Sequence, residues 1–126
     1  MGNLLHLKST EDTPEVFFNT EKNEFSIKGR SLPEDSLSFY KPVISWMAAY
    51  AKHPNPSSEL IIALEYFNSS SVKQVLTLIS AFSEIIKSGK EAKIVWYYSE
   101  GDDLMEMKGL EFKSMVMSIP FEVRSH

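Results

Sequence analysis

Residues 60–71 read Leu60-Ile61-Ile62-Ala63-Leu64-Glu65-Tyr66-Phe67-Asn68-Ser69-Ser70-Ser71, a nearly continuous apolar run followed directly by four small polar residues. An apolar run of this length without alternation is typical of a central strand that is covered on both faces. Asn and Ser are favoured at helix N-termini, so we expect a helix to begin in the Asn68–Ser71 turn. The segment therefore predicts a strand, a turn and a helix in succession, which is the repeating unit of an α/β fold.

Apolar residues recur at helical spacing on both sides of this unit. The upstream stripe consists of Tyr40, Val43, Ile44, Met47 and Ala51, widened by Phe39, Trp46 and Tyr50. It must end near His53, because Pro54 and Pro56 follow. The downstream stripe consists of Val72, Val75, Leu76, Ile79, Phe82 and Ile86, and it closes at Gly89. Each stripe predicts an amphipathic helix.

The remaining segments complete the pattern. Segments rich in β-formers, Glu15 to Phe18 and Glu24 to Gly29, flank a polar turn and predict a hairpin. A strand from Ala92 to Tyr98, a helix from Leu104 to about Met117 that contains Gly109, and a strand from Phe121 to Arg124 follow. The predicted order is β-β-α-β-α-β-α-β in one domain, residues 1–126. Alternating strands and helices favour a mixed, mostly parallel sheet with right-handed crossovers, and a small sheet could carry its helices on one face.

Composition excludes several classes of protein. The 126-residue chain has no cysteine, so disulfides, thiolate metal sites and cysteine nucleophiles are impossible. Its net charge is −4 and its basic residues are dispersed, so we expect no nucleic acid partner. No apolar stretch approaches the roughly 18 residues of a membrane span, so we expect no membrane insertion and a cytoplasmic location.

Residues able to carry catalysis or bind a metal are sparse. His6 and His126 lie near chain ends where fraying is expected, and His53 lies at a helix end, where the dipole favours histidine. Asp102, Asp103 and Glu106 could share a helix face and bind a divalent cation, but an aspartate at a helix start is more simply an N-cap. We therefore expect no enzymatic activity, no metal and no cofactor.

Aromatic and methionine residues offer two further hypotheses. Trp46, Trp96, Tyr97 and Tyr98 could form a stacking platform, but no basic groove accompanies them, which favours core packing. Met105, Met107, Met115 and Met117 could form an adaptable binding surface, and core filling is the default interpretation.

The serine turn is the remaining candidate site. The N-terminus of a helix presents unpaired backbone N–H groups and a positive dipole end, both of which would favour a phosphate on Ser69, Ser70 or Ser71. Lys73 lies within one turn and could add a counter-charge. Helix capping by Asn68 or a serine explains the same residues equally well.

Five segments, in this order along the chain, carry a resemblance to a known family: Glu11 to Val16, Ile27 to Glu34, Phe39 to Val43, Leu64 to Ser71, and Val95 to Tyr98 with the acidic turn after it. They resemble the SiaC family of regulatory phosphoproteins over nearly the whole chain. Members are similar to STAS domains, the fold of anti-sigma-factor antagonists, so the resemblance implies a STAS-like domain.

The resemblance also implies a function. It implies a cognate serine/threonine kinase that phosphorylates the strand-to-helix turn and a PP2C-type phosphatase that reverses the modification. The unphosphorylated protein would bind and activate a target such as a GGDEF diguanylate cyclase that controls biofilm formation. The family's acceptor follows the turn asparagine and is commonly threonine; this position holds Ser69, with Ser70 and Ser71 as alternatives. The turn residues Asn68, Ser70, Ser71 and Lys73 would then contact the partner.

A different function class stays open. STAS-like domains also bind nucleotides or other small ligands near the same strand ends, so a small-molecule sensing domain is the alternative hypothesis.

Overall fold

The computed structural model describes residues 3–126, in which six strands form one sheet and three helices connect its parallel strands. Met1 and Gly2 of the predicted domain lie outside the described residues. In chain order the elements are β1 (Leu4–Leu7), β2 (Glu15–Asn19), β3 (Glu24–Ser31), α1 (Ser36–Tyr50), β4 (Ser57–Phe67), α2 (Ser69–Lys87), β5 (Glu91–Tyr98), α3 (Asp103–Met115) and β6 (Phe121–Ser125).

The sheet has the spatial order β1-β2-β3-β4-β5-β6, so every strand lies beside its neighbours in sequence. The β1–β2 and β2–β3 pairs are antiparallel, and the β3–β4, β4–β5 and β5–β6 pairs are parallel. The predicted mixed, mostly parallel α/β sheet and its hairpin are confirmed. The parallel pairing places the end of β3, Ser31, beside the end of β4, Phe67, which directly precedes the Asn68–Ser71 turn.

Strand β1 was not predicted. Leu5 and Leu7 alternate inward and pack against the core, while His6 lies between them on the other face. The His6 Nε2 atom lies 3.0 Å from a carboxylate oxygen of Glu15, and the His6 ring packs edge-on against Phe17. The expectation that His6 lies in a frayed end is therefore wrong. A four-residue edge strand has too few residues to show a clear alternation, and its order comes from pairing with β2.

Strand β4 is central, but it is not covered on both faces. Leu60, Ile62 and Leu64 are buried in the core, whereas Ile61 and Ala63 on the opposite face are half-buried. Three successive crossovers join adjacent parallel strands in one direction, and because such crossovers are right-handed as a rule, all three helices lie on the same face. The two-sided burial predicted from the apolar run is therefore wrong, and the one-sided arrangement is correct.

The buried face of α2 is rotated from the predicted stripe. Leu78 and Ile85, which the pattern left out, are fully buried, whereas Val72, Leu76 and Ile86 are half-buried at the margin. Among residues 3–126, α1 and α2 pack side by side, but α2 and α3 form no comparable interface. The margin of α2 that faces α3 is consequently left accessible.

Helix α3 contains Gly109 because the helix lies directly against Trp96. A Cβ atom at Gly109 would lie 2.5 Å from Trp96 Cδ1, well inside ordinary contact distance. Trp96 is fully buried, and its Nε1 donates a hydrogen bond of 3.0 Å to the carbonyl of Met105. Core packing of Trp96 is confirmed. None of the helices within residues 3–126 combines the length and apolarity that crossing a bilayer requires.

Candidate functional site

Asn68 caps helix α2. Its backbone is extended (φ −84°, ψ 167°), and its Oδ1 atom accepts hydrogen bonds from the backbone N–H of Ser71 at 3.1 Å and from the Ser70 hydroxyl at 3.1 Å. The Asn68 N–H donates to the carbonyl of Ser31 at 3.0 Å, which ties the turn to the end of β3. The predicted helix start in this turn is confirmed, and the cap is the asparagine.

Ser71 points into the protein. It is fully buried, and its Oγ lies 2.7 Å from Asn68 Oδ1 and 2.9 Å from Ser31 Oγ. Ser31 Oγ in turn lies 2.6 Å from the hydroxyl of Tyr40, a buried residue of α1 whose pKa is raised by its burial. A chain of hydroxyls therefore connects β3, α1 and α2 beneath the turn, and the Ser71 hydroxyl is part of it.

Ser70 points toward α1. Its Oγ lies 2.6 Å from the Oγ of Ser36, the buried first residue of α1. Helix α1 is capped by Asp35, which accepts hydrogen bonds from the backbone N–H and the hydroxyl of Ser38. These bonds hold the pKa of the Asp35 carboxyl below its ordinary value. The N-termini of α1 and α2 are thus in contact at Ser70, whose hydroxyl is hydrogen-bonded to that of Ser36.

Ser69 contacts neither the buried hydroxyls around Ser71 nor helix α1. It is the exposed first residue of α2, and within residues 3–126 its hydroxyl has no hydrogen-bond partner. The exposed Lys73 lies four residues along the helix, the spacing at which side chains become neighbours. Because consecutive helical residues point about 100° apart, the three serines occupy three different environments.

A groove beside Ser69 is lined in part by residues of α3. It has a volume of about 320 Å³ and is lined by Tyr66, Phe67, Asn68, Ser69, Val72, Leu104, Met105 and Lys108. Leu104 is 50% exposed and Tyr66 is 46% exposed, so the groove carries apolar surface open to solvent. Sequence reasoning missed Leu104 and Lys108. Their spacing of four shows that they share a helix face, but only the crossover geometry places that face beside Ser69.

The other charged candidates have structural roles. Asp102 caps α3 by accepting a hydrogen bond from the Met105 N–H at 3.1 Å, as the capping interpretation predicted. Glu106 accepts a hydrogen bond of 2.8 Å from the Tyr98 hydroxyl, and this bond raises the pKa of Tyr98. Among residues 3–126 no group of three His, Cys, Asp or Glu side chains is placed to hold a metal ion.

The methionines divide between the core and the surface. Met105 is buried, whereas Met107, Met115 and Met117 are 51%, 55% and 87% exposed. Core filling is therefore the wrong interpretation for three of the four residues. Met115 is the last residue of α3, and Met117 lies two residues beyond it.

Comparison with known proteins gives the family. Residues 7–126 match the description "SiaC family regulatory phosphoprotein". The chain belongs to the SiaC family. A relative from Pseudomonas aeruginosa (strain UCBPP-PA14), described as an uncharacterized protein, is 26% identical over 122 residues, which cover 97% of this chain and 96% of that protein.

Solved structures of SiaC from Pseudomonas aeruginosa share the fold of this SiaC-family chain. One is described as the diguanylate cyclase SiaD in complex with its activator SiaC; the match has 26% identity and a TM-score of 0.88, and covers 97% of this chain and 99% of that chain. SiaC on its own matches with 26% identity and a TM-score of 0.85, covering 100% of both chains.

Proposed function

We propose that this SiaC-family protein is a non-catalytic regulator that binds and activates a diguanylate cyclase, and that phosphorylation of Ser69 interrupts this binding. The observation that carries the proposal is the contrast among the three serines. Ser71 is buried, and Ser70 is exposed but bonded to Ser36, whereas Ser69 is exposed and its hydroxyl has no hydrogen-bond partner within residues 3–126. The SiaC relative, which is known as the activator of the diguanylate cyclase SiaD, supports the choice of partner.

The surroundings of Ser69 suit a phosphate. The first turn of α2 presents backbone N–H groups without helical acceptors and the positive end of the helix dipole. Lys73 is exposed one turn along α2, and Lys108 lines the groove on the opposite side. A phosphate on Ser69 could therefore be held by backbone N–H groups and two ammonium groups without disturbing the buried hydroxyls.

The phosphate would act against a partner packed over the turn. It adds close to two negative charges at a surface that a bound partner would desolvate. A penalty of about 3 kcal/mol would lower the affinity more than about a hundredfold, which is enough for a switch. A cognate serine/threonine kinase would add the phosphate and a PP2C-type phosphatase would remove it. Because the kinase consumes ATP, the cycle would operate in the cytoplasm.

The experiment combines phosphorylation with cyclase binding. The protein is incubated with its cognate kinase and ATP and mapped by mass spectrometry, and its binding to the purified diguanylate cyclase of the same bacterium is measured by calorimetry. We expect one phosphate on Ser69, loss of that phosphate in Ser69→Ala, and loss of cyclase binding in Ser69→Asp. Thr77→Ala, which removes another exposed hydroxyl of α2, is the matched control and should behave as the wild type.

Two results would contradict the proposal. One is a wild-type protein that carries no phosphate on Ser69 after treatment with a kinase proven active on another substrate. The other is a cyclase that binds wild type and Ser69→Asp with equal affinity.

A small-molecule sensor is the second candidate, and the groove beside Ser69 is the observation in its favour. Its volume of about 320 Å³ falls at the lower end of the range of ligand pockets. A nucleotide that raises the melting temperature of the wild type but not of Leu104→Glu would support this function. The absence of any shift across a nucleotide panel would remove its support.

A further inference from the structure

Strand β6 forms one edge of the sheet. It pairs with β5 on one side, and no strand of residues 3–126 lies on its other side. In a parallel pair, successive residues of a strand point their backbone groups alternately toward the neighbour and away from it. The Ile94 N–H donates to the Pro120 carbonyl at 3.0 Å, just before β6. The His126 N–H donates to the Tyr98 carbonyl at 3.0 Å, just after it. The even-numbered residues of β6 therefore bond to β5.

The odd-numbered residues of β6 present a row of backbone groups at the sheet edge. The N–H and C=O groups of Phe121, Val123 and Ser125 point away from β5, and none of them bonds to another backbone group in the described part of the chain. A row of this kind is a template on which a further strand can add to the sheet.

The side chains of β6 carry an ordered pattern of charge. Glu122 and Arg124 lie two residues apart on the open face of the sheet, the face without helices, and they form an ion pair with each other. Val123, between them, lies on the helix-covered face and is half-buried against the core. The strand therefore has an apolar centre with an acidic residue before it and a basic residue after it.

This pattern is complementary to its own reverse. In an antiparallel pair, residues that point their backbone groups at each other exchange both hydrogen bonds, so Val123 can face Val123 of a second copy. Phe121 then faces Ser125 of the other copy and exchanges bonds with it in the same way. The positions between these pairs place Glu122 of each copy directly opposite Arg124 of the other.

The charges also exclude the neighbouring registers. A two-fold axis at Glu122 or at Arg124 would allow backbone hydrogen bonds, but it would place that charge directly opposite its own copy, which is unfavourable. The other free edge of the sheet, strand β1, offers no such match. Its four residues, Leu4–Leu7, include one titratable side chain, that of His6, which contacts Glu15 of β2.

Helix α3 provides apolar surface above the same edge. Leu104 and Lys108 face α2, since they line the groove beside Ser69. Leu110 lies on the other flank of α3, about 200° around the helix from Lys108, and it is 51% exposed. Because α3 packs over β5 and β6, this flank lies above the free edge of β6. A two-fold axis perpendicular to the sheet keeps the helices of both copies on one side, so the two Leu110 flanks would face each other.

We propose that two copies of this chain associate through β6, antiparallel and with Val123 on the two-fold axis, so that their sheets join into one continuous sheet. Backbone hydrogen bonds from the odd-numbered residues hold the two strands together, and the Glu122–Arg124 pairs between copies fix the register. Strand β4, which leads into the Ser69 turn, lies two strands in from β6, so the turn stays accessible in the dimer.

The first experiment tests the charge complementarity. Sedimentation velocity at protein concentrations from about 1 µM to about 1 mM gives the dimer dissociation constant, and circular dichroism confirms folding. Glu122→Arg and Arg124→Glu each place like charges opposite one another, so each should raise the dissociation constant at least about tenfold. The double variant Glu122→Arg/Arg124→Glu restores opposite charges at both positions and should dimerise as the wild type does. Glu24→Arg, a charge reversal at an exposed position of β3, is the matched control and should not change the dissociation constant.

Mixing the two single variants gives a sharper result. One variant has only basic and the other only acidic residues at these two positions, so an equimolar mixture should form a heterodimer at concentrations where each variant alone is monomeric. The second experiment blocks the backbone edge. The N–H of Val123 points away from β5, so Val123→Pro removes no bond to β5 but should prevent dimerisation, whereas Val123→Ala keeps the N–H and should still dimerise.

Three results would overturn the proposal. The first is a wild type that stays monomeric at about 1 mM. The second is a dimer whose dissociation constant is unchanged in the single charge variants or in Val123→Pro, because such a dimer would use another surface. The third is a mixture of the single variants that fails to associate. These measurements involve neither the kinase nor the cyclase, so their outcome does not depend on the proposed function.

Discussion

Replacement of Gly109 by alanine should destabilise the protein, although the same change in the middle of a helix usually stabilises. An alanine Cβ would lie 2.5 Å from Cδ1 and 2.7 Å from Nε1 of Trp96, whereas nonbonded carbon atoms normally lie about 3.5–4.0 Å apart. Helix α3 would have to move about 1 Å away from the sheet, which weakens the hydrogen bond from Trp96 to Met105. Overpacking costs about 1–3 kcal/mol and the lost hydrogen bond about 1 kcal/mol, against a gain of about 1 kcal/mol in helix propensity.

The expected net change is a loss of about 1–3 kcal/mol in the free energy of unfolding, measured by urea denaturation followed by far-ultraviolet circular dichroism. The transition midpoint should fall with an unchanged slope. Ser114→Ala, at an exposed position of the same helix, is the matched control and should leave stability within about 0.5 kcal/mol of wild type. A Gly109→Ala protein as stable as the wild type, or more stable, would refute the close packing of α3 on Trp96.

Three further predictions concern the caps and the buried hydroxyls. Asn68→Ala removes the N-cap of α2 and should lower the free energy of unfolding by about 1–2 kcal/mol, whereas Asn68→Asp should retain most of the stability, as measured by urea denaturation. Tyr40→Phe removes the hydroxyl 2.6 Å from Ser31 Oγ and should cost about 0.5–1.5 kcal/mol in the same assay; an unchanged midpoint would mean that this contact contributes nothing. The hydrogen bonds from Ser38 lower the pKa of Asp35, so its contribution is present above the unfolded-state pKa, near 3.8, and is lost as the pH falls through the lower folded-state pKa. Asp35→Asn keeps a capping side chain without the titration, so its melting temperature should fall less than that of wild type in this acid range, and identical pH profiles would contradict the assignment.

The hydroxyl network bears directly on how the site would switch. Ser71, Ser31 and Tyr40 connect α2, β3 and α1 below the turn, and Ser70 bonds to Ser36 at the start of α1. These contacts fix the backbone of the turn while the Ser69 hydroxyl stays accessible. A phosphate on Ser69 would therefore alter the surface charge of a rigid turn, and the effect on a partner would come from electrostatics and desolvation rather than from unfolding of the helix.

Much of the fold could be predicted because its elements carry strong local signals. The polar segment between β2 and β3 predicted the hairpin, and the helical spacing from Tyr40 to Ala51 predicted α1. The errors fall where local signals are weak or ambiguous. An apolar run such as Leu60 to Phe67 cannot show whether one or both faces are covered, since Ile61 and Ala63 are as apolar as their buried neighbours. The buried face of α2 depends on how the helix packs against α1 and the sheet, which no local pattern encodes.

The strand-to-helix turn and its hydroxyl chemistry follow from residues that are adjacent in the sequence. An apolar strand followed by Asn68 and three serines predicts a capped helix, and the order of these residues puts three hydroxyls at the helix start. Which of these hydroxyls is left without a partner depends on contacts between elements that are distant in the sequence. The partners of Ser71 and Ser70 are Ser31 and Ser36, which lie 40 and 34 residues away in sequence and reach the turn because β3 pairs with β4 and α1 packs against α2. Of three consecutive serines that are equivalent in the sequence, Ser71 is thereby buried, Ser70 is exposed but bonded to a neighbouring helix, and Ser69 is exposed with no hydrogen-bond partner for its hydroxyl within residues 3–126.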